Sequence, residues 1–219
     1  MMNANYDKEL QNLISQLDPS APPRLLLHAC CAPCSTYCLT QVLAHFDVTL
    51  YYANDNITDR DEWAKRLGEL EKLVAIVNNG QFVVQPIRPL KLVTQSFDAE
   101  RFFAVTRGKE NEREGGARCN DCFVLRLGDA AQYATANGFD YFGTTLSVSP
   151  YKNSQLLNTI GLSLQTDAVK WLPADFKKRD GYKQSIELSQ KYELYRQHYC
   201  GCAYSRPIGE NDEISTSSK

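Results

Sequence analysis

The chain has 219 residues, a formal net charge of −2 and 43% hydrophobic residues. This composition excludes a globally disordered chain and leaves room for one sizeable core, while the near-zero charge excludes a strong overall attraction to nucleic acid, a local basic patch aside. No apolar run reaches membrane-spanning length and residues 1–11 lack the apolar stretch of a cleavable signal, so no membrane partner is expected and the expected location is cytoplasmic.

Leu10, Leu13, Ile14 and Leu17 recur at helical spacing and predict a short amphipathic helix, ended by the linker Asp18-Pro19-Ser20-Ala21-Pro22-Pro23. Arg24 to Ala29 predicts a buried strand. The next helix carries Leu39, Val42, Leu43 and Phe46 as its apolar stripe, with Pro33 near its start. Val48 to Ala53 predicts a second strand, followed by a helix through Trp63, Leu67, Leu70, Val74 and Val77, and Phe82 to Ile87 predicts a third strand. Residues 98–118 are highly charged and break the rhythm as an insertion or mobile lid. The pattern resumes with a helix near 120–137, a strand through Phe139 to Thr145, a helix near 153–166, a strand from Val169 to Leu172 and a helix near 182–195. Strands alternating with helices over short connections predict an α/β fold, a mostly parallel sheet covered on both faces. The expected organisation is an N-terminal helix and linker (1–23), a single α/β catalytic domain (24–206) and a disordered tail (207–219).

Seven of the eight cysteines fall in three groups remote in sequence: Cys30, Cys31 and Cys34; Cys119 and Cys122; Cys200 and Cys202. In a reducing compartment such groups point to metal, iron–sulfur or thiol redox chemistry rather than to a disulfide framework. Cys34 and Cys119 are placed at helix starts, where the partial positive charge favours thiolate. The set offers more sulfur than one zinc needs. Cys38, mid-helix and apart from the others, reads as a small packing hydrophobe. His28 either hydrogen-bonds a sulfur or substrate or is an internally satisfied strand-end histidine. Asp121 either assists a metal or leaving oxygen or is a solvated first-turn carboxylate. In open parallel sheets ligands bind beyond the carboxyl ends of the strands. The predicted strand ends bring the first cysteine group, Asn54 and Asn56, and Ser149-Pro150-Tyr151-Lys152 to one edge, with Lys152 as an active-site candidate.

The residues His28-x-Cys30-Cys31-Ala32-Pro33-Cys34, Asn54-x-Asn56, Arg118-Cys119-x-x-Cys122-Phe123-x-x-Arg126, Ser149-Pro150-Tyr151-Lys152, Asp175-Phe176-Lys177-Lys178 and Tyr199-Cys200-Gly201-Cys202, in this order, resemble the cobalamin-independent epoxyqueuosine reductase family, QueH. The resemblance runs from about residue 24 to 206. It implies reduction of the epoxide of epoxyqueuosine at the wobble position of tRNA, the last step of queuosine synthesis. It also implies a Rossmann-like three-layer sandwich of strand order 3-2-1-4-5, as in adenine-nucleotide-hydrolase-like folds, and a 4Fe-4S cluster with an adjacent mononuclear iron. On that basis Cys30, Cys31, Cys119 and Cys122 are the expected cluster ligands. Cys200 and Cys202 are expected as a redox-active disulfide pair or as holders of a second iron, and Cys34 is a further member of the metal or catalytic set. The implied partners are a tRNA with a GUN anticodon and an electron donor. Lys177, Lys178, Arg179 and Lys183, with Arg113 and Arg118, are the expected phosphate contacts, and Tyr151, Phe176 and Tyr182 the expected stacking surfaces. Two other classes remain in view: a tRNA sulfur-transfer enzyme of related nucleotide-binding fold, which the cysteines after the first strand disfavour, and a zinc-binding module.

Overall fold

The structure is a computed structural model and describes residues 4–206; the predicted tail, 207–219, lies outside the described residues. Five strands form one wholly parallel sheet: β1 (Arg24–His28), β2 (Asp47–Tyr52), β3 (Lys91–Thr94), β4 (Tyr141–Thr144) and β5 (Lys170–Trp171), in the order β3-β2-β1-β4-β5. The chain runs outward from β1 through β2 to β3, then returns to the other side of β1 for β4 and β5. The order therefore reverses between β1 and β4, where a crevice opens at the carboxyl ends of the strands.

The helices are α1 (Tyr6–Ser15), α2 (Ala32–Val42), α3 (Arg60–Asn78), α4 (Ala99–Thr106), α5 (Ala117–Ala136), α6 (Ser154–Leu164) and α7 (Gly181–Lys191). The continuous Leu25-Leu26-Leu27 run follows from burial on both faces. Leu25 and Leu27 pack into one core with residues of α2 and α3, while Leu26 points the other way into a second core with α5 and α6. Asp59 starts α3 by accepting hydrogen bonds from the Asp61 and Glu62 amides. The α6–β5 contact depends on glycine: a Cβ on Gly161 would lie 2.1 Å from the Trp171 ring. Gly161→Ala is therefore expected to destabilise the fold by about 1–3 kcal/mol. Urea unfolding should show a lower midpoint at unchanged slope.

The third strand is not Phe82 to Ile87. Pro86 and Pro89 remove ladder donors from that stretch, so it runs as a loop, and β3 begins only after Pro89. Phe82 is buried by stacking on Tyr192 instead. The charged insertion is also not a free lid. Its first part is α4, which packs on α5 and buries Phe102. Arg101 of α4 bonds Asp55 at 2.7 Å and grips both carboxylate oxygens of Asp129, at 2.7 and 2.8 Å.

Burial raises the pKa of Asp55 to about 6, against the pull of Arg101 and with Asp129 adding to the rise. The folded chain thus holds this proton more tightly than the unfolded chain, whose Asp titrates near ~4. This group's contribution to stability therefore falls as pH rises between about 4 and 6. The stability of Asp55→Asn relative to the parent is expected to rise across that window, measured by urea midpoints at its two ends. A flat difference would refute the assignment.

Candidate active site

The first cysteine group follows directly from β1. The Ala29 amide bonds the Tyr51 carbonyl at 2.9 Å, so the ladder carries the chain to the sheet edge before it turns. Cys31 is extended and caps α2, its sulfur accepting from the Cys34 amide at 3.4 Å, and Pro33 occupies the first turn, where no amide proton is needed. The result is three sulfurs, Cys30, Cys31 and Cys34, all within 4.8 Å of one another. Hydrogen bonds from the Cys31 and Cys34 thiols pull the Cys30 pKa well below the usual thiol value, with burial opposing and Arg126 assisting. Burial and the bond to Cys30 push Cys31 up to about 12, and Cys34 rises through the same shared bonds.

The third group is seated on the loop after β2 and on α3. Arg66, ion-paired to Glu62 at 2.6 Å, donates to the carbonyls of Cys200 (3.0 Å) and Tyr199 (3.4 Å), and the Thr58 amide bonds the Gly201 carbonyl at 3.3 Å. Gly201 has φ of +114°, a conformation that side chains rarely adopt, and an added Cβ would press on Ile57 and Arg66. The second group opens α5. Cys119 accepts from the Gly115 amide at 3.3 Å, and Cys122 packs with Cys202 and Phe102 in a small cluster of its own. Burial raises Cys122 to about 12.

The groups are cross-tied. Lys152 places its ammonium 3.5 Å from the Cys200 sulfur and 2.8 Å from Glu114. Burial works against that charge, but Cys200 and Glu114 outweigh it and hold the lysine protonated. Its backbone is propped from below: Lys177 donates to the carbonyls of Ser147 and Lys152, at 3.1 and 3.0 Å. The Gln197 amide donates to the Cys31 sulfur at 2.9 Å, and Asn56 approaches the Cys200 sulfur at 4.0 Å. A cavity of about 390 Å³ opens beside them, walled by Cys30, Cys34, Cys200, Lys152, Arg126 and Tyr182. All eight cysteines are free. A thiolate-rich donor set selects soft metals and iron–sulfur clusters. The amide oxygens of Asn56 and Gln197 are buried beside it without a partner. Donor chemistry and unpartnered polar atoms fit a bound metal group.

The model of the family described as epoxyqueuosine reductase QueH matches residues 25–207, from β1 through all three cysteine groups. The chain belongs to that family. QueH of Streptococcus pyogenes is 39% identical over 203 residues, which span 92% of this chain and 78% of that protein. QueH of Staphylococcus aureus is 41% identical over 208 residues (92% and 83%), and that of Thermotoga maritima 30% over 186 residues (83% and 89%).

Several of the QueH-motif residues sit elsewhere than their sequence context implied. His28 is fully buried with both ring nitrogens engaged, one with the Thr144 hydroxyl at 2.9 Å and one with the Ala53 carbonyl at 3.2 Å. Burial lowers its pKa to about 3, so the neutral ring ties β1 to its neighbours and offers no nitrogen to a sulfur. Asp121 pairs with Lys109. Phe176 is 3% exposed and unavailable for stacking, whereas Tyr151 is 73% exposed. Lys177 pairs with Asp175, Arg179 with Asp7, and Arg118 is buried with its guanidinium on the Lys109 and Glu110 carbonyls. These three are tied into the protein rather than held ready for phosphate. Cys38 is wholly buried and bonds the Cys34 carbonyl at 3.2 Å. Arg66 was given no part by sequence reasoning, and Asn56 and Gln197 were placed near the site without a role.

No helix among the described residues is long and apolar enough to cross a membrane.

Proposed function

We propose that this protein reduces the epoxide of epoxyqueuosine to the alkene of queuosine at the wobble position of cytoplasmic tRNA. The carrying observation is the three-sulfur group Cys30, Cys31 and Cys34 at the end of β1, with Cys200 on the same wall of a cavity of about 390 Å³ and Cys122 packed beside Cys202. The names of the relatives give the same reaction. The step consumes two electrons and two protons: both ring carbon–oxygen bonds break, the carbons become doubly bonded, and the oxygen leaves as water.

In this reading Cys30, Cys31, Cys119 and Cys122 hold a 4Fe-4S cluster. Cys200 and Cys202 serve as a redox pair or hold a neighbouring iron, and Cys34 completes the sulfur pocket. When bound, such centres supply electrons singly and an iron with an open position polarises oxygen as a Lewis acid. The chain's own groups do the rest. Lys152, charged and facing the cavity, donates a hydrogen bond to the departing oxygen. Asp121, set between Cys119 and Cys122 and paired with Lys109, assists the iron or the departing oxygen. Tyr151, exposed at the mouth, and Tyr182, on the wall, stack on splayed anticodon bases, which suits recognition of single-stranded loops. Lys178 and Arg113, exposed and in no ion pair among the described residues, and Lys183, exposed in a loose pair with Glu187, are the members of the basic set that meet phosphate. The substrate is a tRNA with a GUN anticodon, and an electron donor completes the cycle.

The test is anaerobic purification followed by iron and sulfide counts. A brown protein with matched iron and sulfide supports the reading. A colourless protein with one zinc supports a zinc-binding module instead.

A further inference from the structure

We infer that Arg126 is the resident counter-cation of the sulfur cluster and that its charge sets how readily the bound cofactor accepts an electron; this rests on the iron–sulfur reading above. Arg126 is 1% exposed. A buried charge needs a partner, and a guanidinium does not escape the need by losing its proton. The other buried or half-buried arginines near the site are provided for. Arg66 has Glu62, Arg101 has Asp55 and Asp129, Arg118 has two backbone carbonyls and the Tyr204 ring, and Arg196 has the Ser189 hydroxyl and the Tyr182 ring. Arg126 has the neutral side-chain oxygen of Asn54 and the Cys122 sulfur, and its Nε has no partner. No carboxylate is paired with it among the described residues.

What surrounds Arg126 instead is sulfur. It follows Cys122 by one turn of α5 and shares the cavity wall with Cys30 and Cys200. One cysteine from each of the three groups thus lies beside this single cation. Asn54 holds the guanidinium in place, since its amide nitrogen is itself anchored on the Ala29 carbonyl at 2.8 Å. The site is built for an anion made of thiolates. Adding an electron makes such a centre more negative, so a fixed neighbouring cation favours the reduced form. Net charge and hydrogen bonds at the sulfurs are established levers on cluster potential.

The experiment compares the full chain with Arg126→Met and Arg126→Lys after anaerobic reconstitution, measuring iron, sulfide and midpoint potential by dye-monitored absorbance. Arg126→Met is expected to accept an electron at least tenfold less favourably, a midpoint lower by about 59 mV for a one-electron couple. Arg126→Lys, which keeps the charge without the fork, is expected to fall closer to the parent. Loading of the Lys variant but not of the Met variant also supports the inference. It is overturned if the Met variant loads with the parent's midpoint, or if Met and Lys variants fail to load alike. A parent without sulfide-bound iron overturns the iron–sulfur reading itself, a different result from a loaded parent whose Met variant is unshifted.

Discussion

Cys119→Ser is expected to leave a folded protein that has lost its brown colour, its sulfide-bound iron and its ability to reduce epoxyqueuosine. Cys119 is half-buried on the first turn of α5, and its sulfur takes only a backbone hydrogen bond from Gly115. The fold therefore asks little of it, and serine fits the same space. The cofactor asks much more, because a serine oxygen is a poor ligand for a soft centre. The activity loss should exceed the ~10–100-fold that follows changes to outer partners of metal ligands. Cys38→Ala is the matched control. That thiol is fully buried in the core around α2, so its loss should lower the thermal midpoint while iron content and activity stay near those of the parent. A Cys119 variant that stays brown and active would refute its place in the cluster.

The second large effect is expected at Lys152. Its side chain is buried, faces the cavity and is pinned between Glu114 and the Cys200 sulfur. Cys200 and Glu114 hold the lysine charged there, so it is expected to act as a hydrogen-bond donor to the leaving oxygen and not as a base. Positioned donors of this kind contribute roughly 10²–10⁴-fold. Lys152→Met should therefore lower kcat by that amount while KM for tRNA changes little, since the long apolar chain still fills the wall. Lys152→Arg should recover part of the rate. A loss confined to KM would mean that Lys152 binds tRNA and does not act on the leaving oxygen.

Residue type decided what was legible in the sequence. The runs Leu25-Leu26-Leu27 and Leu50-Tyr51-Tyr52 announce strands buried on both faces, and the three cysteine groups announce their chemistry wherever they fold. The third strand was misplaced because Phe82-Val83-Val84 has strand-like composition, yet Pro86 and Pro89 deny it a ladder; the true β3 is a short, half-exposed edge strand. Helix α4 was hidden by charge, since its buried face is only Phe102 and Thr106, and Arg101 faces two carboxylates that lie elsewhere in the sequence. The arginines were the least legible part of the site. Arg66 and Arg126 look like surface residues until the sheet buries them, and only tertiary structure reveals what each cation faces. The same blindness made Lys177 and Arg179 resemble a phosphate patch, when each already has a carboxylate partner. Burial likewise turned His28 from a candidate sulfur neighbour into a tie between strands.

The most direct measurement is mass spectrometry of wobble nucleosides from epoxyqueuosine-containing tRNA incubated with the reduced, iron-loaded protein. Loss of one oxygen from that nucleoside, giving queuosine, is the predicted result. Unchanged epoxyqueuosine in the presence of fully loaded and reduced protein would contradict the account at its centre.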